Sequence, residues 1–259
     1  MMLFISFALG QNPSISIQNY EMLYVSAGTF MMGSPKNELE RGDDEKQHEV
    51  TLTHDFWMGK TELTQEVYSQ YKKHDSKFRG VQRPVENIDF ITVLQFLNTL
   101  SSSEGLEECY DFSSKIVVWT NGYNCTGYRL PTEAEWEYVA QQKYEGDKLD
   151  VAWLYENSNK ETHDVATKNP NELGFYDMLG NVAEWVWDPH DVYPNKSIDP
   201  MGPTLSAKDK DFRVRRGGGY STGQIYARPA DRYALNSENK HGFLGFRIVR
   251  TVPTKPKDQ

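Results

Sequence analysis

Apolar residues fall at helical spacing most clearly at Phe90, Val93, Leu94, Leu97 and Leu100, where positions three and four apart share one helix face. Asp89 stands where an N-cap is needed and Gly105 where a helix stops, so the spacing predicts a core helix over about 89–101. A second start signal is Thr132, with Pro131 before it and Glu135 three residues on. That is a capping box, and a helix begun there turns Trp136, Val139 and Ala140 inward. A short helix between Thr64 and Lys73, capped by Thr64, carries Val67, Tyr68 and Tyr71 on one face.

Strand signals are shorter. Partial alternation from Glu21 to Gly33, with Gly28 at its centre, predicts a bent strand or hairpin, and Val50–Thr53 and Phe56–Met58 read as further strands. Lys115–Thr120 is a strand signal followed by a turn at Asn121-Gly122. From Gln141 to Asp211 the chain reads as irregular. It closes on the alternating run Phe246–Arg250, expected to pair with the N-terminal strand. No repeat or low-complexity linker interrupts the chain, so a single domain is expected, with 254–259 as a frayed tail.

Composition makes the expected core aromatic. Hydrophobic residues are 38% of 259, but 6 Trp, 15 Tyr and 12 Phe are among them, with 19 Gly and 12 Pro scattered throughout. That mixture suits a loop-rich fold of short elements. The net charge of −9 repels polyanions, which argues against nucleic acid or an anionic membrane surface as partner. Glu38, Glu40, Asp43, Asp44, Glu45 and Glu49 crowd one stretch, read as a solvated loop, or alternatively as an acidic partner-binding loop.

Met1–Gly10 is an apolar run too short for a membrane span. With small residues at Ala8 and Gly10 it fits the core of a secretory signal, although no Lys or Arg precedes it; export is expected. Cys109 and Cys125 flank the strand and turn near residue 120. A hairpin there brings the thiols together. A disulfide closing such a loop contributes about 3 kcal/mol and persists in an oxidising compartment. Two unrelated buried thiols are the alternative, and a redox pair a third, though nothing resembles C-x-x-C at a helix start.

Eight blocks occur in a telling order: VSAGTFMMGS (25–34), HEVTLTHDFWMGKTELTQEVY (48–68), RPVENI (83–88), GYRLPTEAEWEY (127–138), NELGFYDMLGNVAEW (171–185), SIDPMGP (197–203), RGGGY (216–220) and GFRIVR (245–250). Together they resemble the formylglycine-generating enzyme, or sulfatase-modifying-factor, family over roughly residues 21–251. The resemblance implies an α+β, loop-rich single domain related to the C-type lectin fold. It also implies, for catalytic members, a copper ion held by two cysteines of the last block and oxidation of a client sulfatase's cysteine.

Counted from the shared Gly-Gly-x-Tyr, those cysteines fall at Thr222 and Ala227. Neither side chain is a thiolate, the soft ligand Cu(I) requires, so copper and the copper-thiolate reaction are not expected. Iron, used by a second branch of relatives, would need two or more His. Four of the six His stand in His-Asp dipeptides, at His54, His74, His163 and His190; these make poor chelates on a strand and are read as surface or turn residues.

The resemblance also implies structural calcium near Asn181 and Glu184, both hard oxygen donors, or else side chains that merely tie down a loop. A second calcium site would involve Asn157, without an evident acidic partner in 160–167. Arg129, Glu133, Glu137, Glu62 and Arg247 are expected to be buried scaffold pairs rather than an acid–base set. The remaining candidates are Tyr220, Gln224, Tyr226, Arg228, Arg232 and Tyr233, a C-terminal loop surface rich in the residue types of recognition sites, or else loop packing.

The expected function is therefore an exported, non-catalytic binding or assembly module that takes a protein or small-molecule ligand, with no membrane span. The alternative is an oxidoreductase modifying a sulfatase or other protein through a cysteine-independent, metal-dependent mechanism. A third reading is an effector acting in trans with a kinase or motility apparatus.

Overall fold

The window of clearest helical spacing forms the longest helix, Phe90–Ser103. Asp89 caps it, its Oδ1 accepting from Thr92 N at 2.8 Å, and the chain leaves it at Gly105, whose φ of +69° suits glycine. Phe90, Val93, Leu94, Leu97 and Leu100 are all fully buried. Glu133–Ala140 is the second main helix, with both arms of the Thr132–Glu135 capping box in place, and Gln65–Ser69 is the short one capped by Thr64. The protein is described here from a computed structural model covering residues 13–193, 195–202 and 212–253. The apolar run Met1–Gly10, Pro203 of the sixth block and the tail from Thr254 lie outside these residues.

The described strands form four small sheets. One four-stranded sheet is ordered Ser14–Ile17, Tyr20–Val25, Phe56–Gly59, Val249–Thr251, and a second is ordered Arg232–Asn236, Phe212–Arg216, Ala183–Pro189, Leu244–Gly245. Gly28–Met32, His48–Leu52 and Lys196–Ile198 make the third, and Tyr110–Asp111 pairs with Val118–Trp119 in the fourth. The stretch 21–33 is thus neither a bent strand nor a hairpin but two strands in different sheets, parted at Ser26-Ala27. The closing strand also departs from expectation. It pairs with Phe56–Gly59, in register Val249↔Met58, and reaches Tyr20–Val25 through that strand rather than directly.

Ala183–Pro189 organises the interior. Its seven residues are all buried, and alternation sends them to opposite sides. Ala183, Trp185 and Trp187 join the aromatic core around the long helix, with Phe90, Phe96, Tyr110 and Phe246. Val186 joins the other core, with Phe56, Met58, Trp136 and Phe175. This strand lies inside the stretch expected to be irregular, because full burial on both faces removes the apolar–polar alternation that marks a strand.

The hairpin near residue 115 is shorter than expected, two residues a side. Asn121 takes a left-handed φ of +59° and leads into a single turn, Gly122–Asn124, which returns the chain to Cys125. Cys109 and Cys125 are joined in a disulfide with Cα atoms 5.7 Å apart. No helix among the described residues is long and apolar enough to cross a membrane.

Candidate functional site

The strand face opposite the tryptophans presents Glu184, Val186 and Asp188 to the start of helix Glu133–Ala140. Asp188 Oδ2 accepts from Glu133 N at 2.7 Å, and Glu184 Oε2 accepts from Trp136 Nε1 at 2.7 Å. The helix contributes three buried carboxylates, and each receives an arginine. Glu135 accepts two bonds from Arg129, both 2.7 Å, and one contact from His54 at 2.9 Å. Glu133 accepts two from Arg232, both 2.7 Å, and Glu137 pairs with Arg216 and accepts from Gly33 N at 2.7 Å.

Burial alone would raise these acids. For Glu135 the charge and hydrogen bonds of Arg129, with His54, outweigh it and hold the carboxyl at about 2; for Glu133, Arg232 and Arg216 outweigh it as well. Arg129, Glu133 and Glu137 are thereby committed to holding helix, sheet and loop together, as are Glu62, which accepts from Val182 N at 2.9 Å, and Arg247.

The candidate C-terminal loop leaves this frame at Gly217 and Gly218, with φ of +86° and +66°. A Cβ at Gly217 would lie 2.8 Å from Met178 O, so both the left-handed backbone and the close approach require glycine. Thr222 Oγ1 accepts from Gly219 N at 3.0 Å, and the Thr222 carbonyl accepts from Tyr155 N at 3.0 Å. Ala227 is fully buried among Val151, Ala152, Leu154 and Leu179.

Of the six loop candidates, Gln224, Tyr226 and Tyr233 are exposed. Tyr220 is buried edge-on against Phe78, centroids 5.4 Å apart. Arg228 and Arg232 are interior, contrary to a contact role. Arg232 belongs to Glu133, and Arg228 donates to Glu45 at 2.8 and 2.6 Å and to Glu38 at 2.8 Å.

That pairing also corrects the acidic stretch, which is not simply solvated. Glu45 is buried, accepting in addition from Ser34 Oγ and Gly42 N. The stretch folds over the loop and, with Lys148, Val151, Leu179, Ile225 and Ala227, walls a cavity of about 520 Å³. Leu39 and Ile225 sit at its rim, 73% and 45% exposed. Sequence reasoning missed both, although Leu39 is the one apolar residue between Asn37 and Glu49.

The metal candidates are engaged elsewhere. Glu184 receives Arg247 Nε at 2.7 Å and Nη2 at 2.6 Å. Asn181 Oδ1 accepts from His163 N at 2.8 Å, and its Nδ2 donates to Glu62 at 2.7 Å. Asn157 is spent on Leu154, Leu149 and Ala152. With Glu184 already neutralised, these side chains do not fit a calcium ligand set as placed. Thr222 and Ala227 likewise do not fit copper, one a hydroxyl bonded to its own turn and the other a buried methyl. Among the described residues no three His, Cys, Asp or Glu gather as metal ligands. His54 stands in a bend between two strands, as expected of its dipeptide, but not at the surface. It is buried, between Glu135 at 2.9 Å and Asp199 at 3.1 Å, and stacks on Tyr123 at 3.9 Å.

Several buried acids make no ion pair with any described residue. Glu86 is 1% exposed with Oε2 unpartnered, and burial pushes its carboxyl to about 7 despite the amide bond from Phe78. Asp177 and Asp188 are pushed by burial to about 6 and about 8. Such groups keep a proton in the folded state that the unfolded chain releases near its ordinary value, so stability falls as pH rises from about 4.5 towards 7–8. Glu86→Gln cannot ionise and is expected to flatten this slope. Melting temperatures at pH 5 and pH 8 check it, and an unchanged difference between the two pH values in the variant refutes it.

Residues 9–252 match the family model described as sulfatase-modifying factor enzyme 1-like domain. The chain is 31% identical over 247 residues to the chaperone protein LppX of Paenibacillus barcinonensis, covering 78% of this chain and 82% of that one. It is 33% identical over 150 residues to the formylglycine-generating enzyme of Streptomyces coelicolor, spanning 48% of this chain and 46% of the enzyme. The solved structure of Treponema denticola variable protein 1 superposes with a TM-score of 0.78 at 28% identity, covering 94% of this chain and 97% of that one. Matched over nearly all its length in sequence and in fold, this chain belongs to the sulfatase-modifying-factor, or formylglycine-generating-enzyme-like, family and has its α+β fold.

Proposed function

We propose that this protein is an exported, non-catalytic binding or assembly module that takes its partner at the C-terminal loop surface. The carrying observation is what stands at the two family cysteine positions. Thr222 is absorbed into its own turn and Ala227 into a buried apolar cluster, so the loop keeps its shape without a thiol. Beside Ala227 lies the cavity of about 520 Å³ with Leu39 and Ile225 exposed at its mouth, the apolar concavity that binding sites favour. Similarity to a protein named as a chaperone supports a binding role. The Cys109–Cys125 disulfide supports export, since such bonds persist in oxidising compartments.

The purified protein, incubated with copper or iron, oxygen and a Cys-x-Pro-x-Arg peptide, is expected to leave the peptide's mass unchanged. Loss of the thiol with gain of an aldehyde overturns the non-catalytic reading in favour of a cysteine-independent oxidoreductase.

A further inference from the structure

Arg215 stands apart from the other arginines. Each of the others among the described residues donates to a carboxylate, a ring nitrogen or a backbone carbonyl, whereas the Arg215 side chain makes no hydrogen bond or ion pair with the described residues and its Nε is buried without an acceptor. Its guanidinium lies 4.5 Å from the ring centroid of Tyr233, its cross-strand neighbour, and 5.4 Å from that of Phe243. Asp231 is the nearby acid, but it lies 3.5 Å from Arg228 and makes no hydrogen bond to Arg215. Burial works against the Arg215 charge and is offset in part by Asp231 and Tyr233. A largely desolvated fork donor held beside two rings is preorganised for a planar anion.

The surroundings indicate what carries that anion. Among the described strands Arg232–Asn236 is an edge strand of its sheet, with Tyr233 42% exposed and Ala234 exposed beside it. Strand edges accept extended polypeptide, main chain to main chain, while side-chain sites alongside select sequence. We propose that the slot formed by Arg215, Tyr233 and Phe243 takes an Asp or Glu carboxylate of an extended partner polypeptide laid along the edge strand Arg232–Asn236. The inference deepens the binding-module reading by naming the chemistry of the partner, and it stands on residues separate from the Leu39–Ile225 cavity.

The test is selection of the full-length protein against a random dodecapeptide phage library, followed by synthesis of an enriched peptide and of its Glu→Gln or Asp→Asn counterpart. Enrichment of acidic residues is expected. The amide peptide should bind at least tenfold more weakly, Arg215→Met should lose binding by a similar factor, and Arg215→Lys, which keeps charge without the fork, should fall between. Melting temperatures of both variants show whether they are folded, and Val118→Asp, at an exposed position in another sheet, should leave this binding unchanged. Peptides that bind regardless of Arg215 but are lost with Leu39→Asp overturn the slot and leave the cavity as the binding site. A library that yields no binder overturns the slot and removes support from the module reading too. Free glucuronate or glutamate competing as well as the peptide shows that a carboxylate alone suffices and overturns the polypeptide assignment.

Discussion

Arg247→Met is expected to lower the melting temperature by roughly 6–20 °C at pH 7, taking 3–5 kcal/mol for a broken buried ion pair and 2–4 °C per kcal/mol for a chain of this size. Arg247 is fully buried and donates to Glu184, Gly59 O, Tyr176 O and Asp177 O. Methionine fills much of the same volume, so the loss isolates the charge. Without the guanidinium, Glu184 shares its pocket with Glu62 and Asp177, both already raised chiefly by burial. Acid relieves this uncompensated cluster by protonating Asp177, which burial already holds at about 6, so the gap between variant and wild type should shrink as pH falls from 7 to 5. Thermal unfolding of both proteins at the two pH values decides it; a loss at pH 7 below about 1 kcal/mol would show that the carboxylates find other relief.

Removing the disulfide ranks second. Cys109→Ala with Cys125→Ala is expected to cost about 3 kcal/mol through the freed loop, or roughly 6–12 °C in melting temperature. Both cysteines are fully buried in the aromatic core with Tyr110, Trp119 and Tyr128, so alanine leaves small cavities that add to the loss. Reductant should lower the wild-type melting temperature by a comparable amount and leave the double variant unmoved. A wild type whose thiols are shown to be free after reduction, yet which melts unchanged, would exclude a stabilising role for the bond.

The elements legible in the sequence are those specified locally. Asp89 and Thr132 announce their helices through bonds made within three residues, and Phe90 to Leu100 need only a period of 3.6 to show which face is buried. Ala183–Pro189 is different. Its polar residues Glu184 and Asp188 lie inside because Trp136, Arg247 and the amide of Glu133 reach them from 48 to 63 residues away, and no local pattern encodes such partners. The same holds for the site. Tyr226 and Tyr233 are exposed as their chemistry suggested, but Arg228 and Arg232 are claimed by Glu45 and Glu133, which are remote in sequence. Leu39 joined the site for the same reason, carried there by the Arg228 pairing.

The arginines that neutralise the buried acids have a bearing on when the chain can fold. Arg216, Arg228, Arg232 and Arg247 all follow residue 212, while Glu45, Glu133, Glu137 and Glu184 precede it. A chain emerging from the ribosome up to Asp211 therefore carries these four inward-facing carboxylates without the arginines that pair with them, and cannot bury them unprotonated at low cost. Closing these long loops is also slow. These four buried pairs can therefore close only once the last strands are made, so the C-terminal segment completes the interior rather than capping one already formed.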